Sequence, residues 1–185
     1  MPRYVKILRY NLVHYGFQYK EGLNVDDLPF NPTGSCQSGG LYFCREQDMY
    51  LYTSYGTLIA DVILPSNARV YHEGDKIKAD KIILSNIRSI KDHHLWNDRA
   101  FCKRAVKNDI RAFMYVRVKN YVICEIAVNV NGLNLEHVED QPEDICIAAV
   151  KNNGMALRFV KNQNTEICKA AVIQNGLAIM YVEHQ

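Results

Sequence analysis

The spacing of the cysteines in the second half of the chain is the feature that most constrains its fold. Cys102, Cys124, Cys146 and Cys168 lie 22 residues apart, and each is followed by alanine three residues later and by valine four residues later. A repeat of this length is one supersecondary unit that cannot bury its apolar face alone, so neighbouring units must stack to form a continuous core. The sequence therefore predicts a stack of four units in this half rather than one enclosed core.

Each unit has the pattern of two short helices. The third unit places four apolar residues on one helical face: Ile145, Cys146, Ala149 and Val150. In three units Asn-Gly follows the first helix, as at Asn153-Gly154, where we expect glycine to adopt the left-handed conformation that ends helices. The apolar run that comes next predicts a second helix, and the spacing leaves roughly eight to ten residues for each helix.

The last unit offers a candidate surface for a protein partner. It has no successor in the sequence to cover its second helix, which predicts that Ile179, Met180 and Tyr181 are exposed. Phe159 holds the position equivalent to Tyr181 in the preceding unit and completes the candidate stripe. We also expect two chains to meet end to end through this unit as a homodimer.

The repeated cysteines have two interpretations, metal or disulfide chemistry and tight helix packing. Metal sites group their ligands at short spacing, whereas these thiols recur once in each unit, so we predict buried structural cysteines and no metal. Cys36 and Cys44 lie eight residues apart near turns and leave a disulfide or a metal open. The sequence shows no secretory signal, which favours a reducing compartment.

The pair His93-His94 also has two interpretations. Metal binding needs convergent side chains, but neighbouring residues of a helix point in different directions, and the sequence shows no third ligand nearby. The sequence therefore favours a polar hinge between the two halves of the chain.

The first half has the pattern of a small mixed sheet. Glycine, proline and acidic turns separate short apolar segments, which predict strands at residues 4–13, 39–44, 57–64, 68–71 and 77–84, a short helix at 48–55 and a loop at 31–40. We predict an α+β protein with a mixed, β-rich domain over residues 1–90. An α-helical solenoid of four two-helix repeats is predicted to follow over residues 91–185.

Charge and hydropathy restrict the classes of partner. Residues 1–89 contain ten Lys/Arg and nine Asp/Glu, and residues 90–185 contain twelve and eleven, so each half has a net charge of +1 (10 − 9 and 12 − 11). This balance lacks the basic footprint of a nucleic-acid-binding domain. No apolar run is long enough for a membrane span. We therefore expect neither nucleic acid nor a membrane as a partner.

Four segments of the first half together show a family resemblance. They are Gly16–Asn24, Phe30–Phe43, Ile63–Pro65 and Lys78–Leu84. These segments resemble the N-terminal module of uncharacterised proteins from giant DNA viruses of the Mimivirus type, in which the module often precedes ankyrin repeats. The repeat signature Ala-Val-x-x-Asn-Gly resembles the DUF4116 family. The resemblance implies an adaptor that binds a viral or host protein in the host cytoplasm or the virion interior.

A distant similarity to ADP-ribosyltransferases provides an enzymatic alternative. His14, Tyr42 and Tyr55 follow the order in which that family has a strand histidine for the nicotinamide ribose, an aromatic strand and a residue beside the nicotinamide. A cleft that gathers these three side chains would favour the enzyme. A buried His14 beneath a closed sheet would favour the adaptor.

The same family needs a carboxylate late in the sheet to stabilise an oxocarbenium-like transition state. Lys78 and Ala79 stand about where it would be, and Asp80 or Glu73 are the only substitutes nearby. The similarity therefore implies a divergent and inactive transferase. We favour a protein that is not an enzyme and that uses no cofactor.

Overall fold

A computed structural model describes residues 3–33 and 37–183 of the chain. The chain divides into two compact units, Met1–Leu95 and Trp96–Gln185. The first unit contains a seven-stranded sheet and a two-stranded hairpin, and the second unit is helical. The predicted arrangement of a β-rich part followed by helices is confirmed.

Within the described residues, the first unit has nine strands. They are β1 (Tyr4–Leu8), β2 (Val13–His14), β3 (Phe17–Gln18), β4 (Gly22–Val25), β5 (Leu41–Arg45), β6 (Leu58–Ile63), β7 (Val70–Glu73), β8 (Lys76–Ala79) and β9 (Lys81–Ser89). The large sheet has the order β4-β9-β6-β1-β5-β8-β7, and all neighbours are antiparallel. Its central strand β1 consists mainly of buried residues, because sheet neighbours flank it on both sides.

The segment predicted as one strand at residues 77–84 is two strands on opposite sides of the sheet. Only Asp80 separates β8 from β9, although β5, β1 and β6 lie between them in the strand order. In a flat sheet four strand spacings would separate them by roughly 19 Å, whereas two peptide units span at most about 7.6 Å. The sheet must therefore curl until its two sides meet at Asp80.

Asp80 stabilises this corner through backbone and side-chain hydrogen bonds. Its carboxylate accepts hydrogen bonds from the backbone N–H and the Nε–H of Arg69, both at 2.9 Å, and its own N–H donates to the Arg69 carbonyl. The Asp80 carbonyl accepts from the N–H of Asp26, which directly follows β4. Residues from both sides of the sheet are thereby joined at one position.

Two other segments of the first unit differ from the predicted elements. The strand predicted at residues 4–13 ends at Leu8, and a tight β2–β3 hairpin follows, with positive φ at Tyr15 (49°) and Gly16 (83°). Two positive φ values are typical of a type I′ turn. The predicted helix is a 3-10 helix that begins earlier, at Glu46, and ends at Tyr55. The described part of the predicted loop, residues 31–33 and 37–40, has no helix or strand.

In the part of the second unit that the structure describes, there are four α-helices, each followed by a 3-10 helix. The α-helices are α1 (Arg99–Asn108), α2 (Tyr121–Val130), α3 (Glu143–Asn152) and α4 (Thr165–Gln174). The 3-10 helices are Ile110–Tyr115, Gly132–His137, Gly154–Phe159 and Gly176–Tyr181. The first helices have the predicted length, whereas the second helices are shorter than predicted, with six residues each.

The expectation that the Asn-Gly glycines adopt a left-handed conformation is wrong. Asn153 has an extended backbone, with φ −149°, and its side chain caps the 3-10 helix that follows by accepting from the N–H of Met155. Gly154 is not among the residues with positive φ. It is needed because a Cβ at this position would collide with the carbonyl oxygen of Ala171 in the next unit, and Gly132 meets Ala149 in the same way.

Half-buried glutamines connect successive units. Gln141 Nε2 donates to the carbonyls of Leu135 in its own unit and Phe159 in the next, at 3.3 and 3.0 Å. Gln141 Oε1 accepts from the N–H of Lys161 at 3.0 Å. Gln163 makes the equivalent bonds one unit later. These amides satisfy backbone groups that the short helices leave unpaired.

The glycine contacts predict unequal effects of the same substitution. Gly154→Ala should lower the free energy of unfolding of the second unit by about 1–3 kcal/mol, because the added methyl group must push α4 away from its neighbour. Gly176→Ala is the matched control, since nothing lies within 4 Å of a Cβ there. Urea unfolding followed by the fluorescence of the one tryptophan, Trp96, measures both. Equal effects of the two substitutions would contradict the close-approach argument.

Candidate functional site

A cavity in the first unit gathers three of the four residues predicted for a ligand cleft. It has a volume of about 1380 Å³, and His14, Tyr42 and Tyr55 are among its lining residues. Strands β1, β4 and β5 and the β2–β3 hairpin contribute to its walls. The curled sheet explains why strands that are distant in sequence enclose one space. Asp80 is not among the lining residues.

His14 lies at the end of the short strand that the type I′ turn reverses. Its ring stacks on Tyr15, with centroids 4.5 Å apart, and lies 6.0 Å from the ring of Tyr55. Its Nε2 atom is buried and has no hydrogen-bond partner. Burial lowers the pKa of His14 to about 4, with further contributions from the positive charges of Lys6 and Arg9. His14 is therefore neutral at physiological pH, with an unpaired nitrogen at the cavity.

Lys6 lines the same cavity and was not predicted as a site residue. Its side chain lies within the sheet, where Nζ donates to the Tyr42 carbonyl at 2.7 Å and lies 4.3 Å from the centre of the Tyr19 ring. Burial lowers the pKa of Lys6 to about 7, so much of this amine is uncharged at neutral pH. A single lysine inside the apolar run Tyr4–Leu8 was the signal in the sequence that could have identified it.

The carboxylate of Asp80 binds Arg69 in a contact that stabilises the fold. Burial alone would raise the pKa of this carboxyl group, but the hydrogen bonds from Arg69 outweigh burial and lower the pKa. Lys78 stands about where the transferase family has its carboxylate. It is fully buried and donates a hydrogen bond to the Thr33 carbonyl. The cavity thus has histidine, lysine and tyrosine side chains but lacks Asp80.

The structure contradicts the prediction of a polar hinge at His93-His94. His93 is 1% exposed and lies between two 3-10 helices, Ile90–Asp92 and His94–Asn97, with an extended backbone. The two imidazole rings therefore stack at 4.6 Å instead of pointing apart. Burial lowers the pKa of His93 to about 4, and His94 and Arg88 contribute.

Glu46 is a third polar residue at this pair. Its Oε1 atom lies 3.3 Å from Nε2 of His93 and 3.7 Å from Nε2 of His94. Within residues 3–33 and 37–183 this is the only group of three His, Cys, Asp or Glu side chains close enough to share a metal ion. Nothing in the sequence indicated Glu46 as a neighbour of the two histidines. It directly follows β5 and lies far from them along the chain.

Three of the four repeated cysteines are buried packing residues, as predicted, whereas Cys168 is only half-buried. Cys102, Cys124 and Cys146 are buried, and each lies within hydrogen-bond distance of a carbonyl that precedes its helix. Burial raises the pKa of the Cys102 thiol to about 11, which keeps it protonated. Cys44 is a buried thiol with no described cysteine bonded to it, and Cys36, the other member of the predicted pair, lies outside the described residues.

The last unit leaves uncovered an apolar position, that of Ile179, which the earlier units bury. Ile179 is 63% exposed, whereas its equivalents Phe113, Leu135 and Leu157 are 0% exposed. We call the exposed apolar residues of the last 3-10 helix, Leu177, Ile179 and Met180, the end face. Tyr181 is half-buried beside it. Phe159 is half-buried in the preceding unit, where the Arg158 guanidinium lies 4.5 Å from the centre of its ring.

Comparison with known proteins identifies a family that matches two of the repeat units and relatives that match about half of the chain. The family described as a domain of unknown function, DUF4116, matches residues 143–185, which hold the third and fourth units. The putative ankyrin repeat protein R868 of Acanthamoeba polyphaga mimivirus is 36% identical over 100 residues, 50% of each chain. The uncharacterised protein R869 of the same virus is 35% identical over 105 residues, 54% of this chain and 76% of R869.

The matched region is a part of some larger relatives. The putative ankyrin repeat protein L100 of the same virus is 35% identical over 98 residues, which are 48% of this chain and 16% of L100. The chain spans about half the length of R868. The predicted resemblance to Mimivirus-type proteins and to DUF4116 is confirmed. No solved structure matches the chain. Within the described residues, no helix has the length and apolar character that crossing a membrane requires.

The buried amine of Lys6 predicts a specific pH dependence of stability. The unfolded chain binds more protons than the folded one between about pH 7 and the usual lysine value of 10.5, so stability should rise with pH in this window. Between pH 7 and pH 9 the wild type should gain roughly 1–3 kcal/mol relative to Lys6→Met. Calorimetric unfolding of the full chain measures this difference. The exposed Lys20→Met variant is the control, and a pH dependence of Lys6→Met parallel to the wild type would contradict the prediction.

Proposed function

Because the chain belongs to the family of the uncharacterised mimivirus protein R869, we propose that it is a non-catalytic interaction protein of a giant virus. Its helical part is a solenoid of four two-helix repeats, and a second copy of the chain docks on the end face of the last repeat. This role suits the names of R868 and L100, which are putative ankyrin repeat proteins. Helical-repeat proteins commonly act as binding scaffolds.

The exposure of Ile179 is the observation that carries this proposal. The equivalent position is completely buried in three units by the unit that follows, and it remains apolar in the last one. Burying such a side chain stabilises a complex by about 1.5–3 kcal/mol. Leu177 and Met180 lie on the same 3-10 helix and enlarge the apolar area that is available.

The open space at Gly176 supports the proposal that a partner approaches the end face closely. The glycines at the same position in the two preceding units make room for the backbone of the following helix, whereas the space above Gly176 is open. A partner backbone can therefore approach the end face as closely as a repeat unit does. A second copy offers the same apolar face, and a two-fold arrangement closes the assembly at a dimer.

The state of the cysteines supports a reducing compartment, the host cytoplasm or the virion interior. No disulfide joins any two cysteines in the described part of the chain, which is typical of proteins that work among cellular reductants.

Sedimentation of the full chain tests the docking proposal. The wild type should form dimers at micromolar concentration, and Ile179→Ser combined with Met180→Ser should weaken self-association about 100-fold, because two exposed anchors on each chain lose their apolar contact. Met114→Ser is the matched control, since Met114 holds the position of Met180 in the first unit and is 64% exposed. Trp96 fluorescence verifies that every variant remains folded. A monomeric wild type, or an equal loss with Met114→Ser, would remove the proposal.

A second candidate function, a divergent NAD-binding domain, is supported by the common cavity of His14, Tyr42 and Tyr55. Under this alternative, NAD should raise the unfolding temperature of the wild type and leave that of His14→Ala unchanged. Measurement of free nicotinamide distinguishes binding from turnover. Absence of any thermal shift at millimolar NAD would eliminate this alternative.

A further inference from the structure

We propose that Glu46, His93 and His94 form a binding site for a divalent transition metal ion of the zinc type, with water as the remaining ligand. Two imidazoles and one carboxylate are the protein ligands of many mononuclear zinc and iron sites. This inference does not depend on the proposed dimer, because all three residues belong to the first unit.

The distances between the ligand atoms suit a small metal ion. Metal–ligand bonds of about 2.0–2.1 Å in a tetrahedral site place neighbouring ligand atoms roughly 3.3–3.5 Å apart. Glu46 Oε1 lies 3.3 Å from His93 Nε2 and 3.7 Å from His94 Nε2. All three ligand atoms lie within 4.8 Å of one another. Of the three ligand side chains, that of His94 is the most exposed, so its movement can bring the third ligand atom into place.

The unpaired nitrogen of His93 is a separate indication of a ligand. Nε2 is buried and lacks a hydrogen-bond partner, although the Glu46 carboxylate lies at 3.3 Å, so the two groups approach without the alignment that a hydrogen bond requires. An unsatisfied buried nitrogen costs free energy. A metal ion between Nε2 and the carboxylate would coordinate both groups. Unlike a hydrogen bond, this coordination does not require a proton aligned between the two atoms.

The backbone around the site holds its ligands in place. Glu46 follows β5, and its N–H donates to the Arg3 carbonyl at 2.9 Å. The extended residue His93 connects two 3-10 helices, which fixes the side-by-side rings. His94 is half-exposed, with 56% of its side-chain surface accessible, so an ion can enter from solvent and retain a water ligand.

The tautomer of His93 provides a spectroscopic signature of binding. Its Nδ1 atom now accepts a long hydrogen bond from the N–H of Leu95, at 3.4 Å. Coordination through Nε2 puts the imidazole proton on Nδ1, where it would face that N–H. Metal binding must therefore open this contact and shift the amide resonance of Leu95.

Titration of the untagged full chain with Zn²⁺ tests the site. After treatment with a chelator, the wild type should bind one ion per chain by calorimetry, and Co²⁺ should produce the visible absorption of a four-coordinate complex. His94→Ala and Glu46→Gln should each weaken binding at least about 10-fold, because one of three protein ligands is lost. His94→Ala is the preferred variant, since this side chain is exposed and its removal leaves the buried packing intact.

His72→Ala is the matched control, because His72 is an exposed histidine of the same unit on β7. It should bind Zn²⁺ as the wild type does. The proposal fails if the wild type binds no ion at micromolar Zn²⁺, which would leave the cluster as an ion pair only. It also fails if His94→Ala binds as tightly as the wild type, or if the Leu95 amide resonance does not respond to the metal.

Discussion

Close backbone contact between neighbouring repeat units is the constraint on which the helical half depends. Gly132 and Gly154 lie directly beneath carbonyl oxygens at the end of the following α-helix, and no side chain fits between them. The adjoining asparagine caps a 3-10 helix, and a glutamine amide joins the backbones of two units. Short helices that are unstable alone are thus held by contacts with their neighbours. The apolar cysteines and alanines fill the narrow space that such close packing leaves.

The sheet half depends on a different kind of closure. One aspartate joins two strands from opposite sides of the sheet, and the curl that results brings Lys6, His14, Tyr42 and Tyr55 around a common space. The cavity is therefore a consequence of topology, and its polar groups are distant in sequence. Burial lowers the pKa of Lys6, and the His14 Nε2 atom has no hydrogen-bond partner. Such groups are rare in protein interiors that serve packing alone.

The repeat was predictable because its spacing is exact, whereas the sheet sites depend on contacts that the sequence does not record. The 22-residue period identified the four α-helices and the buried role of Cys102, Cys124 and Cys146. The role of the Asn-Gly glycines was predicted incorrectly, since the packing of a neighbouring unit, not local conformation, requires them. The split at Asp80 and the approach of Glu46 to the two histidines arise from strand order and from an extended residue between two helical turns. Neither leaves a periodic pattern.

The position of β9 in the sheet has a consequence for synthesis of the chain. β9 is the last strand of its unit along the sequence, yet it lies between β4 and β6, which have no contact with each other in the strand order. Until residues 81–89 have left the ribosome, the nascent chain therefore lacks the strand that pairs with the facing edges of β4 and β6. Such edges are sites of aggregation. Because the exit tunnel of the ribosome holds the most recently added residues, β9 emerges only while the helical part is being translated, and the two edges stay unpaired until that stage of synthesis.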